Sequence, residues 1–411
     1  MSAFDVYLFA NRAGTLTSDR GRLAFGYDAA SWVDASLPAI SVRLPKQDEP
    51  HPDELTRPFF ENLLPEDEYR RLAGAAVRTA SDNTAGLLGA IGGECAGAVS
   101  VWPPGEAPPL PPTYRRLTPQ EFRGAFDAPS DDELLALQRE GRLSLAGAQP
   151  KLTLRSQDDA WMVGVDGAPT THILKRTRMG FSHLVENEYA CMRLARAAGL
   201  PVPDVAIVDA GIPVLAVARF DRAVGPDTVG RLHQEDFCQM TGTLPQQKYE
   251  ADGGPGLAAC AEVIRMHSAL PVADLQALLR WIVFNYLIGN EDAHAKNLAI
   301  LYTDAGRRLA PFYDIVSTTA YKGLSRKAAM AIGGERRYAY VKRRHWERMA
   351  IDLGIKMQAV VATGREVADQ LERVWDEEVE KLGATIAALP VAKTIGQQTA
   401  ARVTALRDEI G

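Results

Sequence analysis

From residue 151 to residue 220 the chain breaks into short runs whose order leaves few folds open. Leu152-Thr153-Leu154-Arg155 and Trp161-Met162-Val163-Gly164-Val165 flank Gln157-Asp158-Asp159, a hairpin signal between two apolar or alternating runs. A third strand pattern, Thr171-His172-Ile173-Leu174-Lys175, ends on a lysine. Ser182 to Ala198 has helical spacing and stops at Gly199, before Pro201. Val205 to Val208, the turn Asp209-Ala210-Gly211 and Val214 to Phe220 predict a second hairpin. Strand, strand, strand with Lys, helix with Glu, strand, strand is the order in which a protein kinase builds the lobe that covers ATP. Val217 to Asp221 would then connect to a second, mostly helical lobe. The expected fold is α+β, a protein-kinase-like two-lobed architecture with a mainly helical large lobe and an extra N-terminal α/β subdomain.

Boundaries follow from composition. Residues 103 to 112, Pro-Pro-Gly-Glu-Ala-Pro-Pro-Leu-Pro-Pro, sustain neither helix nor central strand and favour a stiff extended spacer. The division expected is an N-terminal subdomain over 1–102, a linker over 103–113, a small lobe over 114–225 and a large lobe over 226–411. The first region mixes strand-like alternation (4–9, 39–43, 97–102) with helical stretches near 53–75, and its Phe59 to Pro65 run reads as a packed helix end. Ser130-Asp131-Asp132-Glu133 has the form of a capping box opening a helix through about Glu140. With 411 residues, 46% of them hydrophobic, the chain has material for two or three cores. A formal charge of −6 argues against strong nucleic-acid binding by the chain alone. Cys95, Cys191, Cys238 and Cys260 are too widely spaced for a zinc site or a disulfide framework and fit buried thiols in a reducing cytoplasm. The chain enters Val6-Tyr7-Leu8-Phe9 without a leader pattern, and its most apolar stretch, Leu278 to Ile288, carries Arg280 and is too short to span a bilayer.

The chemistry concentrates in Gly289-Asn290-Glu291-Asp292-Ala293-His294-Ala295-Lys296-Asn297, followed by a short strand pair and Pro311-Phe312-Tyr313-Asp314. In phosphoryl transfer an Asp accepts the proton of the attacking hydroxyl, while an Asn five residues on and a later Asp hold Mg²⁺ against the ATP phosphates. Asp292, Asn297 and Asp314 have that spacing. Singly, each also reads as an ordinary turn or loop-capping residue. His294 reads as a loop-stabilising hydrogen-bonder, because Asp292 already fills the base role. Lys296 reads either as a γ-phosphate partner or as a solvated lysine. Lys175 can grip the α- and β-phosphates if a carboxylate holds it, with Glu188 the first candidate and Glu186 the second; a solvated Lys is the plain alternative. Ser144-Leu145-Ala146-Gly147-Ala148-Gln149-Pro150-Lys151 stands where a phosphate-covering loop belongs. Its backbone N–H groups at Ala146, Gly147, Ala148 and Gln149 can cradle phosphate, yet with one glycine the segment alone reads as a turn.

Several motifs together resemble one family. The Ser144–Lys151 loop, Thr171–Lys175, Glu186-Asn187-Glu188-Tyr189, Arg219-Phe220-Asp221-Arg222, Gln234–Gln239, Lys248–Gly256, the 289–297 loop and Pro311–Asp314 are similar to the HipA family. These are bacterial serine/threonine kinases that act as the toxin of a toxin–antitoxin pair. The resemblance implies Asp292 as the catalytic residue and Asn297 and Asp314 as metal ligands. It implies an ATP site of Ala146, Gly147, Ala148, Gln149, Lys151, Lys175, Phe220, His294, Lys296, Asn297 and Asp314. It also implies Ser144 as an autophosphorylation site that ejects the loop and switches the enzyme off. The implied acceptor is an aminoacyl-tRNA synthetase, the glutamyl enzyme above all, with growth arrest and persistence as the outcome. The implied partner is a HipB-like helix-turn-helix antitoxin that carries the kinase to operator DNA. Ala218 stands where some members have a connector Glu. The basic segment Arg336 to His345 reads as a solvated helix face, or as a contact to DNA phosphates in the antitoxin complex.

Two other readings use the same residues. A small-molecule phosphotransferase shares the Asp-x-His-x-x-Asn order, but the Gln149-Pro150-Lys151 loop and the N-terminal subdomain argue against it. A corepressor with a degenerate nucleotide site conflicts with the intact Lys175, Asp292, Asn297 and Asp314.

Overall fold

The computed structural model describes residues 1–127, 130–147, 149–383, 386 and 389–411. The chain divides into two compact units. The first comprises Met1–Arg176, Val208–Pro245 and Leu301–Thr303; the second comprises Thr177–Ile207, Gln246–Ile300 and Asp304–Gly411.

Two larger sheets form in the first unit, beside the short antiparallel pair Arg222–Val224 and Val229–Arg231. One runs Arg22–Tyr27, Asn11–Asp19, Ser2–Leu8, Val99–Trp102, and its alternating Val6, Leu8, Leu16 and Phe25 are buried. The helix Asp53–Glu61 covers that face with Phe59 and Phe60, the Phe60 ring lying 5.9 Å from Phe25. The other runs Thr113–Arg116, Ala160–Val165, Lys151–Gln157, His172–Arg176, Pro213–Ala218, Val205–Asp209. Its central hairpin turns through Asp158 and Asp159, whose φ of +50° and +55° are those a two-residue I′ turn requires. Helices Pro119–Asp127 and Asp132–Glu140 pack on this sheet through Phe126, Leu134 and Leu137.

Two expectations fail here for identifiable reasons. Residues 39–43 form no strand beyond an isolated bridge between Ser41 and Leu44. Their polar groups are satisfied by distant side chains instead: Ile40 N–H donates to Tyr27 Oη (2.9 Å), Tyr27 Oη donates to Leu44 O (2.6 Å), and Val42 N–H donates to Glu235 Oε1 (3.1 Å). The capping box at Ser130 is also absent. Asp131 is the N-cap, but its carboxylate is drawn to the Arg176 guanidinium and the Tyr69 hydroxyl, and Ser130 Oγ bonds Asp132 instead.

Glu94 anchors a charge network in which Glu94, Arg219, Asp221 and Arg222 are buried and Arg231 is partly buried. Its Oε1 accepts from Thr170 N (3.0 Å) and Oγ1 (2.8 Å), Arg219 Nη1 (2.9 Å) and Arg222 Nη2 (3.0 Å). Arg231 Nη1 lies 2.7 Å from Oε2 as an ion pair without a directed hydrogen bond. Asp221 accepts from Arg219 Nε (2.9 Å) and from Gly97 N–H (2.7 Å). Burial opposes ionisation of Glu94, yet Arg222, Arg231 and Arg219 together hold its carboxyl below the usual range.

Glu235 is the opposite case. Burial pushes its carboxyl up to about 7 from 4.5, against hydrogen bonds from Ser41, Tyr302 Oη (2.5 Å) and Val42 N–H. The folded state therefore binds the proton more tightly than the unfolded chain, so stability falls as pH rises from about 4.5 to about 7. Glu235→Gln is expected to remove that slope, roughly 3 kcal/mol in all, from a plot of thermal midpoint against pH. An unchanged slope would contradict the assignment.

The second unit is built on the helix Pro271–Ile288, which starts with Pro at N1 and is buried from Leu278 onward apart from Arg280. Helices Leu257–His267, Met357–Lys381 and Pro390–Ile410 pack on it. Leu184–Ala197 packs in turn on Met357–Lys381, where Arg193 reaches Glu378 at 2.8 Å. The central helix stops at Gly289, whose φ of +74° lets the chain turn sharply into the 289–297 loop. No helix among the described residues is long and apolar enough to cross a membrane, and all four cysteines are buried free thiols.

Candidate active site

The 289–297 loop is held from several sides within the second unit. Asn290 donates its backbone N–H to Asn285 O (2.9 Å) and its Nδ2 to Asn285 Oδ1 (2.8 Å), reaching back into the helix. Glu291 N–H donates to Thr318 Oγ1 (2.8 Å), Tyr338 Oη donates to Asn290 O (2.9 Å), and Ala329 N–H donates to Glu291 O (2.8 Å). This scaffold leaves Asp292 exposed while its neighbours from Ala293 to Asn297 are buried. Tyr249 Oη donates to Asp292 Oδ1 at 2.8 Å and fixes the carboxylate's orientation.

His294 N–H donates to Asn297 Oδ1 (3.0 Å) and Asn297 N–H returns to His294 O (2.9 Å), closing a one-turn box at the end of the loop. Asn297 Nδ2 then donates to Asp314 Oδ2 at 3.2 Å. The hairpin of Ala299–Thr303 and Gly306–Leu309 makes this meeting possible, because it returns the chain within seventeen residues. Tyr313 Oη donates to Lys296 O (2.6 Å) and ties the two segments again. Asp314 sits at φ +59°, a left-handed conformation uncommon for a residue with a Cβ and characteristic of strained functional positions. An exposed carboxylate and an adjoining amide–carboxylate pair thus share one hydrogen-bonded loop system. Among the described residues no three His, Cys, Asp or Glu side chains converge on a metal position. The Asp314 carboxylate nevertheless fits Mg²⁺, which takes oxygen ligands and completes its shell with water and substrate phosphate rather than an all-protein cage, and Asn297 Oδ1, which accepts from His294 N–H, keeps a second lone pair for it.

Glu188 belongs to the same unit, buried on Leu184–Ala197. Glu186, its rival as a lysine partner, faces His183 Nδ1 at 3.3 Å. The helix is registered by Asn187, whose amide exchanges two 3.0 Å bonds with the backbone of Ser317.

The remaining expected residues lie in the first unit. Lys151 and Lys175 stand directly opposite each other on adjacent antiparallel strands, so their side chains emerge on the same face of the sheet. Lys151 Nζ donates to Ala146 O (2.5 Å) and Gln149 Nε2 donates to Arg176 O (2.8 Å), folding the preceding loop over the strand ends. Gly147 carries φ +105°, accessible to glycine without strain. Ala148 lies outside the described residues. Ser144 is fully buried, its Oγ donating to Leu63 O at 2.8 Å and its N–H to Glu94 O at 2.9 Å. Phe220 is half-buried between Arg219 and Asp221, both locked in the Glu94 network.

Tyr249 and Glu94 were not singled out from sequence. Tyr249 meets Asp292 across 43 residues, and Glu94 meets Arg219 across 125, so no local pattern betrays either.

Comparison with known proteins identifies the family. The profile described as HipA N-terminal domain matches residues 4–102, and the HipA-like C-terminal domain matches residues 143–375. The Y4mE protein of Sinorhizobium fredii is 42% identical over 357 residues, covering 84% of each chain. The serine/threonine-protein kinase toxin HipA of Shewanella oneidensis is 35% identical over 291 residues, 67% of this chain and 66% of that one. Among solved structures, a chain of the complex of Shewanella oneidensis HipA, HipB and operator DNA matches with a TM-score of 0.86 at 28% identity, covering 99% of this chain and 98% of that chain. With both HipA domains matched in order and these relatives at such coverage, the chain belongs to the HipA family of kinase toxins.

Proposed function

We propose that the protein is a Mg-ATP-dependent serine/threonine protein kinase with a two-lobed kinase fold, acting in the cytoplasm as the toxin of a toxin–antitoxin pair. The observation that carries this reading is the 3.2 Å contact of Asn297 with Asp314 on the same scaffold that exposes Asp292. Asp292, oriented by Tyr249, takes the proton of the acceptor hydroxyl as its oxygen bonds to the γ-phosphorus and the bond to the β,γ-bridging oxygen breaks, releasing ADP. Asn297 and Asp314 hold Mg²⁺, which when bound neutralises charge on the phosphate oxygens. Lys175, held by Glu188, and Lys151 present a doubly cationic face to the phosphates, and an anion there offsets the repulsion of two like charges placed directly opposite each other. Lys296 and the loop Ala146 to Gln149 complete the phosphate contacts, His294 braces the loop, and the backbone at Phe220 meets the adenine.

Ser144 regulates this site. A phosphate bearing up to two negative charges has no place where Ser144 is fully buried against Leu63 O, so the modified segment stays out and the enzyme is off. The acceptor in the cell is an aminoacyl-tRNA synthetase, the glutamyl type first, as the family resemblance implies, and its modification arrests growth. The Shewanella relative is solved with HipB and operator DNA. A HipB-like antitoxin is the corresponding partner here, with operator DNA reached through it.

Calorimetry tests the nucleotide half of this reading. The wild type is expected to bind ATP more tightly with Mg²⁺ than without it by about tenfold or more, and Asp314→Ala to lose that difference. ATP affinity independent of Mg²⁺ in the wild type would contradict it.

A further inference from the structure

Between Lys322 and Arg348 the chain places nine Lys and Arg against two Glu, although its overall formal charge is −6. Part of this excess is already neutralised. Arg337 pairs with Glu335 (3.1 Å), Lys342 with Glu409 (2.8 Å) and Arg343 with Glu347 (3.0 Å). The residues at the start of the segment are different. Lys322, Arg326 and Lys327 are exposed, and neither Lys322 nor Lys327 forms an ion pair among the described residues. Arg326 donates to Thr319 O (3.0 Å) and Tyr321 O (3.2 Å), and among the described residues its carboxylate neighbour is Glu291 at 3.8 Å. Arg336 Nε donates to Ala328 O (2.7 Å) and joins the same segment.

This segment is bolted to the loop that carries Asp292. Ala329 N–H donates to Glu291 O (2.8 Å), Glu250 N–H donates to Ala329 O (3.1 Å), and Ala331 N–H donates to Glu250 Oε2 (2.5 Å). Glu291 directly precedes Asp292, so an acceptor hydroxyl delivered to Asp292 brings the residues on either side of it over Lys322, Arg326 and Lys327. A basic platform fixed beside an exposed proton acceptor discriminates acceptors by the charge of those flanking residues, favouring acidic ones and repelling basic ones.

We propose that Lys322, Arg326, Lys327 and Arg336 form an acceptor-docking surface that selects a protein segment carrying Asp or Glu beside the phosphorylated Ser or Thr. This rests on the kinase reading above. A nucleic acid fits the surface less well. A duplex presents phosphates in a continuous row and needs a long open array of cations. The basic residues that follow the cluster, Arg337, Lys342 and Arg343, are engaged by carboxylates, with only Arg344 and Arg348 exposed beyond them.

The test uses the full chain, Mg-ATP and degenerate peptides with a fixed Ser or Thr. The wild type is expected to enrich Asp and Glu at flanking positions. The exposed double variant Lys322→Glu/Lys327→Glu is expected to raise KM for an acidic peptide on the order of tenfold and to shift the preference toward Lys and Arg, with self-phosphorylation unchanged. A chain that phosphorylates itself but shows no acidic preference, or a preference that the double variant leaves intact, overturns the docking surface. So does a result in which duplex DNA or RNA competes for the surface while flanking charge has no effect. A wild type that transfers phosphate neither to itself nor to any peptide overturns the kinase reading instead.

Discussion

Replacing Asp292 by Asn is expected to lower phosphate transfer on the order of a thousandfold while leaving the thermal midpoint unchanged. The amide keeps the shape of the carboxylate and can still accept the hydrogen bond from Tyr249 Oη, but it cannot take a proton from an attacking hydroxyl. Stability should not respond because Asp292 is exposed and the loop is held by its neighbours: Asn290 by Asn285, Glu291 by Thr318 and Ala329, Asn297 by His294 and Asp314. Initial rates of phosphate transfer on matched, folded samples make the comparison. A variant within about tenfold of the wild type would show that the proton goes elsewhere, since a positioned base contributes at least that much.

The largest expected effect on stability lies far from that loop in sequence. Among the described residues, Glu94→Gln leaves the buried Arg219 and Arg222 with Asp221 as their carboxylate, and the partly buried Arg231 with only the carbonyls of Gly93 and Gly167. Breaking a buried ion network by removing one partner costs about 3–5 kcal/mol, because the orphaned charges stay out of water. That is a large share of the roughly 5–15 kcal/mol that holds a domain folded. The loss should appear as a lower denaturant midpoint with unchanged slope. Adding Arg231→Met to Glu94→Gln should recover part of it by reducing the charge imbalance, as coupled neighbours do. A loss below about 1 kcal/mol, the scale of an exposed pair, would mean that water already reaches the cluster. The same residues clamp Arg219 and Asp221 on either side of Phe220, so a folded Glu94 variant should also bind ATP more weakly.

The parts visible in sequence were those whose cause is local. The Asp158-Asp159 turn, the lysine on the strand that follows that hairpin, the helix stop at Gly199 and the five-residue step from Asp292 to Asn297 each follow from neighbouring residues. All four appear in the fold where sequence placed the elements that carry them. What failed was governed by partners far along the chain. Residues 39–43 have strand-like alternation, but Tyr27 and Glu235 occupy the polar groups a ladder would need. Ser130 has capping chemistry, but Arg176 and Tyr69 claim the neighbouring Asp131. The contacts of Glu94, and of Tyr249, which sequence offers only as part of the Lys248–Gly256 motif and without a role, are hidden for the same reason, since they span 43 residues and more. Of the basic run after Asp314, sequence reading picks out only Arg336 to His345; Lys322, Arg326 and Lys327, and the attachment to the 289–297 loop through Ala329, emerge from the fold.

The measurement that bears most directly on the kinase reading is mass spectrometry of the purified chain after incubation with Mg-ATP, alongside Asp292→Asn and Ser144→Ala. The account predicts one phosphate on Ser144 of the wild type and none on that residue in either variant. Nucleotide binding without phosphate on any residue of the wild type, or equal phosphate on the Asp292 variant, would contradict it.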